Sequence, residues 1–394
     1  MVSFELSETQ RMVQEMVHQF AEREIRPVAA KHDEEESMPW ALLEKAEVLG
    51  LTMSYVGDRD RSGEGGPSAG QLNTLAAVAA EELAWGCAGI TIAIYGTQFA
   101  AGVVARMGNL EQKDLFKECL RGRDDDGHVR VAAMGFTEPQ AGSDVSRIAT
   151  TARRDGAHWV LSGQKQFVTN GSIASVYVIW ATVERAAGRA GLRAFLVPRG
   201  TPGVRPGERL RKMGIRASDT APVYLDDCRV PAAWMMGEPR VGYGEARRIL
   251  DTTRPMVAAL SVGIARAALE YAVRYATERE QFGGPIAAKQ GVAFLLADMA
   301  MEVEAARALA WKAAWLADRH EPNAISAAMA KATAAGVAMD VTTKAVQILG
   351  GYGYVRDHPV EKWMRDAKVM DIFEGTGQIQ RAIIAQGLTG VDCK

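Results

Sequence analysis

The hydrophobic period of this chain changes twice along its length, and those two changes limit its fold more than any other feature. Ser7-Glu8-Thr9-Gln10 reads as a capping box, after which Met12, Val13, Met16, Val17, Phe20 and Ile25 recur at helical spacing until Pro27. Further helical patterns cover 39–49, 71–85, 90–107 and 111–120, with a glycine-rich break at 57–70. From Val131 the period drops to two. Segments 150–154 and 158–161 flank an Asp155-Gly156 turn as a hairpin, and 176–182, 192–197 and 221–225 read as further strands. Beyond Gly244 the helical period returns. Met256, Leu260, Ile264, Ala268, Tyr271 and Tyr275 share one face, Leu295, Met299, Val303, Ala306 and Ala310 the next, and an Ala-rich helix follows over 324–349. The expected class is α+β, mainly α: an N-terminal helical domain over 1–129, a β-barrel-like middle domain over 130–241, and a C-terminal four-helix bundle over 242–394, built from three long antiparallel helices and a short terminal one.

With 394 residues, 48% hydrophobic and 24% charged, the chain has enough apolar material for three such cores. Its net charge of −2 gives no basic excess, so neither nucleic acid nor an anionic membrane is an expected partner. Cys87, Cys119, Cys228 and Cys393 are far apart, with no C-x-x-C pair and no matching histidine spacing, which argues against a zinc site or a disulfide framework. No apolar signal core, Arg-rich presequence or run of about 18 apolar residues is seen, and the expected compartment is cytoplasmic.

Asp371-Ile372-Phe373-Glu374-Gly375-Thr376-Gly377-Gln378 places one glutamate on an apolar, glycine-hinged turn that opens a final helix. Ile372 and Phe373 would withdraw water from the carboxylate and raise its pKa, which suits a base. Read alone, an exposed glutamate ahead of an N-cap Thr376 is the commoner reading of such a segment. Gly135-Phe136-Thr137-Glu138-Pro139-Gln140-Ala141-Gly142-Ser143-Asp144 and Gly163-Gln164-Lys165-Gln166-Phe167-Val168-Thr169-Asn170-Gly171 read either as ligand loops or as plain turn chemistry. No G-x-G-x-x-G, G-x-x-x-x-G-K-[ST] or G-x-S-x-G occurs, which argues against a Rossmann enzyme, a P-loop protein and a serine hydrolase.

Together with Tyr275-Ala276-Thr277-Glu278-Arg279-Glu280-Gln281-Phe282-Gly283 and Gln347-Ile348-Leu349-Gly350-Gly351-Tyr352-Gly353, these segments resemble the acyl-CoA dehydrogenase family, over nearly the whole chain and in the same domain order. The C-terminal half looks closest to the medium-chain enzymes. The resemblance implies that fold and FAD as cofactor, and it makes Glu374 the base that takes the α-proton of an acyl thioester as hydride leaves for flavin N5. It implies an oxyanion hole made by the Glu374 backbone N–H and a flavin ribityl hydroxyl. Met134, Phe136, Thr137 and Ser143 would meet the flavin on one side, with Ser143 also near the thioester arm. Phe167 and Thr169 would flank the other, Phe167 standing where the family often has tryptophan. Arg279, Gln281, Phe282, Gln290, Gln347, Gly350 and Gly351 would hold the cofactor's pyrophosphate and adenosine from a neighbouring subunit, and Thr376 and Gln378 would meet it at a helix start.

For the substrate, Asp251, Thr253 and Arg254 match a segment that contacts the pantetheine and nucleotide arm, with Arg254 equally readable as a brace for the Glu374 loop. Phe373 and Gly375 would border the substrate, and Tyr95 falls on a helix that lines the acyl pocket, where medium-chain enzymes carry an acidic residue. The implied partners are an acyl-CoA or acyl-carrier-protein thioester and an electron-transferring flavoprotein, and the implied assembly is a homotetramer, a dimer of dimers. The rival readings are a thioester oxidase or carrier-protein-linked dehydrogenase on this fold, or a catalytically silent helical binding protein. No metal is implied.

Overall fold

A computed structural model describes residues 5–52, 72–237 and 242–392. The glycine-rich break at 57–70, Cys393 and the junction at 241 lie outside them. Helix α1 (Glu8–Phe20) starts at the expected capping box, with Ser7 and Gln10 satisfying each other's backbone N–H. The chain does not stop at Pro27. It widens through a π turn (Ala21–Ile25), tightens through a 3₁₀ turn (Arg26–Val28), where a proline lacking its N–H is tolerated, and continues into α2 (Ala29–Glu34). Helix α3 spans Trp40–Val48.

The two helices expected over 71–85 and 90–107 are the two segments of α4 (Leu72–Met107), which meet at a kink at Cys87, where the backbone is extended. Residues 77–101 of α4 are all buried, so its apolarity runs round the whole cylinder. By length and composition α4 could cross a membrane, yet 94% of its most apolar window is covered by the protein itself. Helix α5 (Leu110–Leu120) follows behind a second capping box, Asn109 with Gln112.

The middle region is an eight-stranded sheet: β1 (Ala132–Gly135), β2 (Thr151–Asp155), β3 (His158–Thr169), β4 (Val176–Thr182), β5 (Leu192–Pro198), β6 (Val204–Pro206), β7 (Thr220–Pro231) and β8 (Met235–Met236). Their order is β6-β7-β3-β2-β4-β5-β8, with β1 pairing β4. The Asp155-Gly156 hairpin forms as expected, Asp155 opposite His158. Strand β3 runs well past it, and its register against β7 slips between Lys165 and Val168.

The bundle comprises α6 (Tyr243–Glu278), α7 (Gln290–Asp318), α8 (Ala324–Leu349) and α11 (Gly377–Thr389), with two short helices, α9 (Gly351–Tyr354) and α10 (Val360–Lys368), between the last two. Helix α10 is too short for periodicity to reveal, but it joins all three regions. Its Asp366 accepts from the Ile215 N–H of the β region at 2.5 Å, and its Arg365 pairs with Asp33 of α2 at 2.7 Å.

Candidate active site

Glu374 has a left-handed backbone, φ 54°, and Gly375 follows at φ 92°. A non-glycine residue there is strained and persists only where its surroundings over-determine it. The surroundings do so. Buried Gln380, one turn into α11, donates to the Glu374 carbonyl at 3.2 Å and to the Gly375 carbonyl at 3.1 Å, and buried Lys331 of α8 donates to the Gly375 carbonyl at 2.7 Å. A side chain at Gly375 would strike the Gln380 amide. The Glu374 Oε2 accepts from the Thr253 hydroxyl at 2.8 Å. Burial raises the Glu374 pKa above the ordinary carboxylate range, opposed by the Thr253 hydrogen bond and by the charges of Arg254 and Lys331. The desolvation does not come from Ile372, which is 53% exposed, whereas Phe373 does pack on the core.

Arg254 is 5% exposed and bonded to Asp251 at 2.7 Å. Burial lowers its pKa, while Asp251 and then Glu374 support its charge. Its placement fits the brace reading better than an arm reaching into solvent for a nucleotide. Thr253 is likewise committed to the carboxylate, and the Asp251 carbonyl accepts from Asn323 at 2.8 Å.

The two β loops lie side by side, the Gln166 N–H donating to the Thr137 carbonyl at 2.8 Å. Behind them a buried ion pair, Lys165 with Glu138 at 2.6 Å, fixes the first loop, and Glu138 also accepts from the Ala149 and Thr150 N–H groups at 2.7 and 3.0 Å. Burial holds the Lys165 ammonium at about 8 against the pull of Glu138. The slip in β3 re-aims Phe167, which stands at φ 56° and is 65% exposed. Thr137 and Thr169 are partly exposed and Ser143 is open. Phe136 turns its ring into the core, edge-on to Trp180 at 5.5 Å, leaving its backbone at the loop, and Met134 also packs inward. Tyr95 is buried in α4 among the main core, with no ring presented to solvent.

Arg279, Gln281, Phe282, Gln290, Gln347, Gly350 and Gly351 collect at the opposite end of the bundle, where α6 ends, α7 starts and α8 stops at Gly350. A cleft of about 670 Å³ opens there, lined by Arg279, Gln281, Gly351, Tyr275, Tyr352 and Asp357 among others. Arg279 lies over the Tyr352 ring at 5.6 Å. Phe282 is 93% exposed at φ 53°, on a loop closed by Gln281 N–H to Gly284 O at 2.9 Å and Lys289 Nζ to Phe282 O at 3.0 Å. A rigidly presented, bare aromatic ring beside an exposed guanidinium fits a flat heterocycle with phosphates. So does the start of α11, where Thr376 caps the Ile379 N–H at 3.2 Å and Gln378 faces solvent.

Lys331, Gln380, Glu138 and Lys165 were not singled out from the sequence. For Lys331 a signal existed: it interrupts the stripe Ala327, Ala334, Ala335 and Ala338 on the buried face of α8.

Three family models match the chain in order: the acyl-CoA dehydrogenase N-terminal domain over 7–120, the middle domain over 133–228 and the C-terminal domain over 241–389. A mitochondrial short-chain specific acyl-CoA dehydrogenase of Bos taurus is 41% identical over 97% of this chain and 90% of its own length. A short-chain specific acyl-CoA dehydrogenase of Clostridium acetobutylicum is 39% identical over 98% and 99%. Butyryl-CoA dehydrogenase from Megasphaera elsdenii superposes with a TM-score of 0.89 at 36% identity, covering 98% of this chain and 100% of that one. A chain from the structure of the electron transferring flavoprotein of Acidaminococcus fermentans gives 0.89 at 38%, with the same coverage. Three of these four carry short-chain or butyryl names, unlike the medium-chain likeness expected for the C-terminal half. The chain belongs to the acyl-CoA dehydrogenase family and is an FAD-dependent oxidoreductase that dehydrogenates acyl-CoA.

Proposed function

We propose that this protein converts a short acyl-CoA to its trans-2-enoyl thioester, with Glu374 as the base. The observation that carries the reading is a partly desolvated carboxylate on a clamped, left-handed turn. An α-proton beside a thioester is weakly acidic, and each pKa unit added to the base is worth about 1.4 kcal/mol of driving force. Burial raises the pKa of Glu374, and Thr253 keeps its Oε2 in place. The Glu374 N–H has no hydrogen-bond acceptor among the described residues, which leaves it free to donate to the thioester oxygen as negative charge develops there. FAD, when bound, supplies the hydride acceptor, N5. On the protein side Phe167 and Thr169 would face it from one loop and Thr137 from the other, while Glu138 and Lys165 keep the loops from shifting.

A buried Tyr95 fills the α4 face expected to floor the acyl pocket, which favours a short acyl group, as the names of the relatives do. The assembly reading has a geometric support. Thr253 lies in the N-terminal third of α6 and Arg279 just past its C-terminus, roughly 40 Å apart at 1.5 Å per residue, further than one extended flavin dinucleotide reaches. Each cofactor would therefore meet the Glu374 end of one subunit and the Arg279 end of another, in a closed homotetramer. An electron-transferring flavoprotein would take the electrons, in a cytoplasmic setting.

Anaerobic titration with butyryl-, octanoyl-, branched and aromatic acyl-CoAs, following the visible flavin band, tests the reading. Bleaching by about one equivalent of butyryl-CoA per flavin supports it. Bleaching by octanoyl-CoA alone would overturn the short-chain assignment, and no bleaching by any acyl-CoA would favour a carrier-protein thioester.

A further inference from the structure

Burying a lysine ammonium costs folding energy unless it is paired and hydrogen-bonded, and Lys331 is fully buried on an alanine stripe. Among the described residues its ammonium donates to one acceptor, the Gly375 carbonyl at 2.7 Å, and no carboxylate lies within salt-bridge distance. Asp371 and Glu374 are the negative groups that support its charge, while burial brings its pKa down to about 8. The contact falls on the carbonyl next to the base, in the one stretch of the turn where two successive residues have positive φ. Gln380 reaches the same carbonyl from the other side, so α8 and α11 grip the turn between them.

We propose that Lys331 is a positioning residue for the base: it holds the Glu374–Gly375 turn in its left-handed form and sets a buried positive charge beside the carboxylate. The inference rests on the reading of Glu374 as the base. Lys331 touches neither substrate nor cofactor and acts through the turn. The other charged or titratable groups around Glu374 are Arg254 and Asp251 from α6, with Tyr243 and Arg247 near them, Asp371 from the segment before the turn, and Arg381 from α11, which donates to the Gly377 carbonyl at 3.0 Å. Arg254 is tied to Asp251, which leaves Lys331, among the described residues, as the buried cation near the base without a carboxylate of its own.

The charge and the hydrogen bond are separable by substitution in the FAD-loaded enzyme. Lys331→Gln keeps a donor without charge, Lys331→Met keeps neither, and Lys331→Arg keeps both. Turnover per bound flavin should fall roughly tenfold or more in the Met variant and less in the Gln variant. The acid limb of the kcat/KM profile should move up by about one pH unit in both neutral variants and stay in place in the Arg variant. A turnover-independent readout is the infrared carboxyl band that vanishes in Glu374→Gln, whose titration should shift in the same direction. A merely structural lysine would lower flavin content and melting temperature while leaving the acid limb and the band where they are in the wild type, and that result would overturn the proposal. If the Met variant does not fold, the Gln and Arg variants decide it. Wild-type flavin reduction by Glu374→Gln would instead sink the base reading itself, whatever Lys331 does.

Discussion

The two ends of helix α6 solve opposite problems. At the Glu374 end, charged groups are buried and held: Arg254 by Asp251, the Gly375 carbonyl by Lys331 and Gln380, and the carboxylate by Thr253. At the Arg279 end the groups are exposed, with Phe282 and Tyr352 bare and Arg279 resting on a ring rather than on a carboxylate. The proton abstraction proposed for Glu374 needs one geometry and a tuned pKa, and a partly desolvated, over-determined turn suits both. Cofactor holding needs surface that something else will cover. The Arg279 end leaves a large aromatic ring, Phe282, in water, which fits the proposal that a neighbouring subunit's cofactor covers it.

The sharpest way to break the comparison is Glu374→Gln, which should slow flavin reduction by about 10²–10⁴-fold while retaining the cofactor. Substrate bleaching at near the original rate would end the assignment. Next in size, Arg279→Ala should weaken FAD retention by roughly ten- to a hundredfold through a lost charge-assisted contact, and should loosen the oligomer on light scattering. Its reduction rate per bound flavin should be unchanged, since the two ends do different work. Full flavin occupancy on dilution would show that Arg279 holds no phosphate.

Gly375→Ala adds a methyl at φ 92° against the Gln380 amide and should cost about 1–3 kcal/mol in denaturant unfolding, with a larger loss of turnover than of stability. An equal loss in both would mean that the turn is structural only. The smallest effect concerns pH. The folded-state pKa of Glu374 lies above its unfolded value, so the ionised carboxylate costs stability once pH exceeds the ordinary carboxylate range, and nothing below it. Glu374→Gln should therefore melt at the same temperature as the wild type in acid and at or above it near neutrality. A variant less stable at neutral pH than in acid, relative to wild type, would contradict the direction of the shift.

Much of this was legible along the chain because the signals are local. The Ser7 capping box, the Asp155-Gly156 hairpin and strand β4 come from residues within a turn or two of one another. The division of α4 into two helical segments was legible, and the structure places the break at Cys87, which takes extended dihedrals. Helix α10 was missed for its shortness, and with it the Asp366 contact that joins the β region to the bundle.

By itself the sequence determined the three-part architecture, because periodicity and turn residues are local signals, and its dispersed motifs carried the resemblance that pointed to the family and the cofactor and made Glu374 the candidate base. Only the tertiary structure decided what surrounds the base. Thr253 lies 121 positions from Glu374 and Lys331 lies 44 from Gly375, yet both are within hydrogen-bond reach of the turn. The same packing turned Phe136 inward, closed Tyr95 into the core and sent the Arg279 group to the far end of α6. Proton affinity and orientation depend on distances of a few ångströms between segments remote in sequence, and packing alone sets those distances.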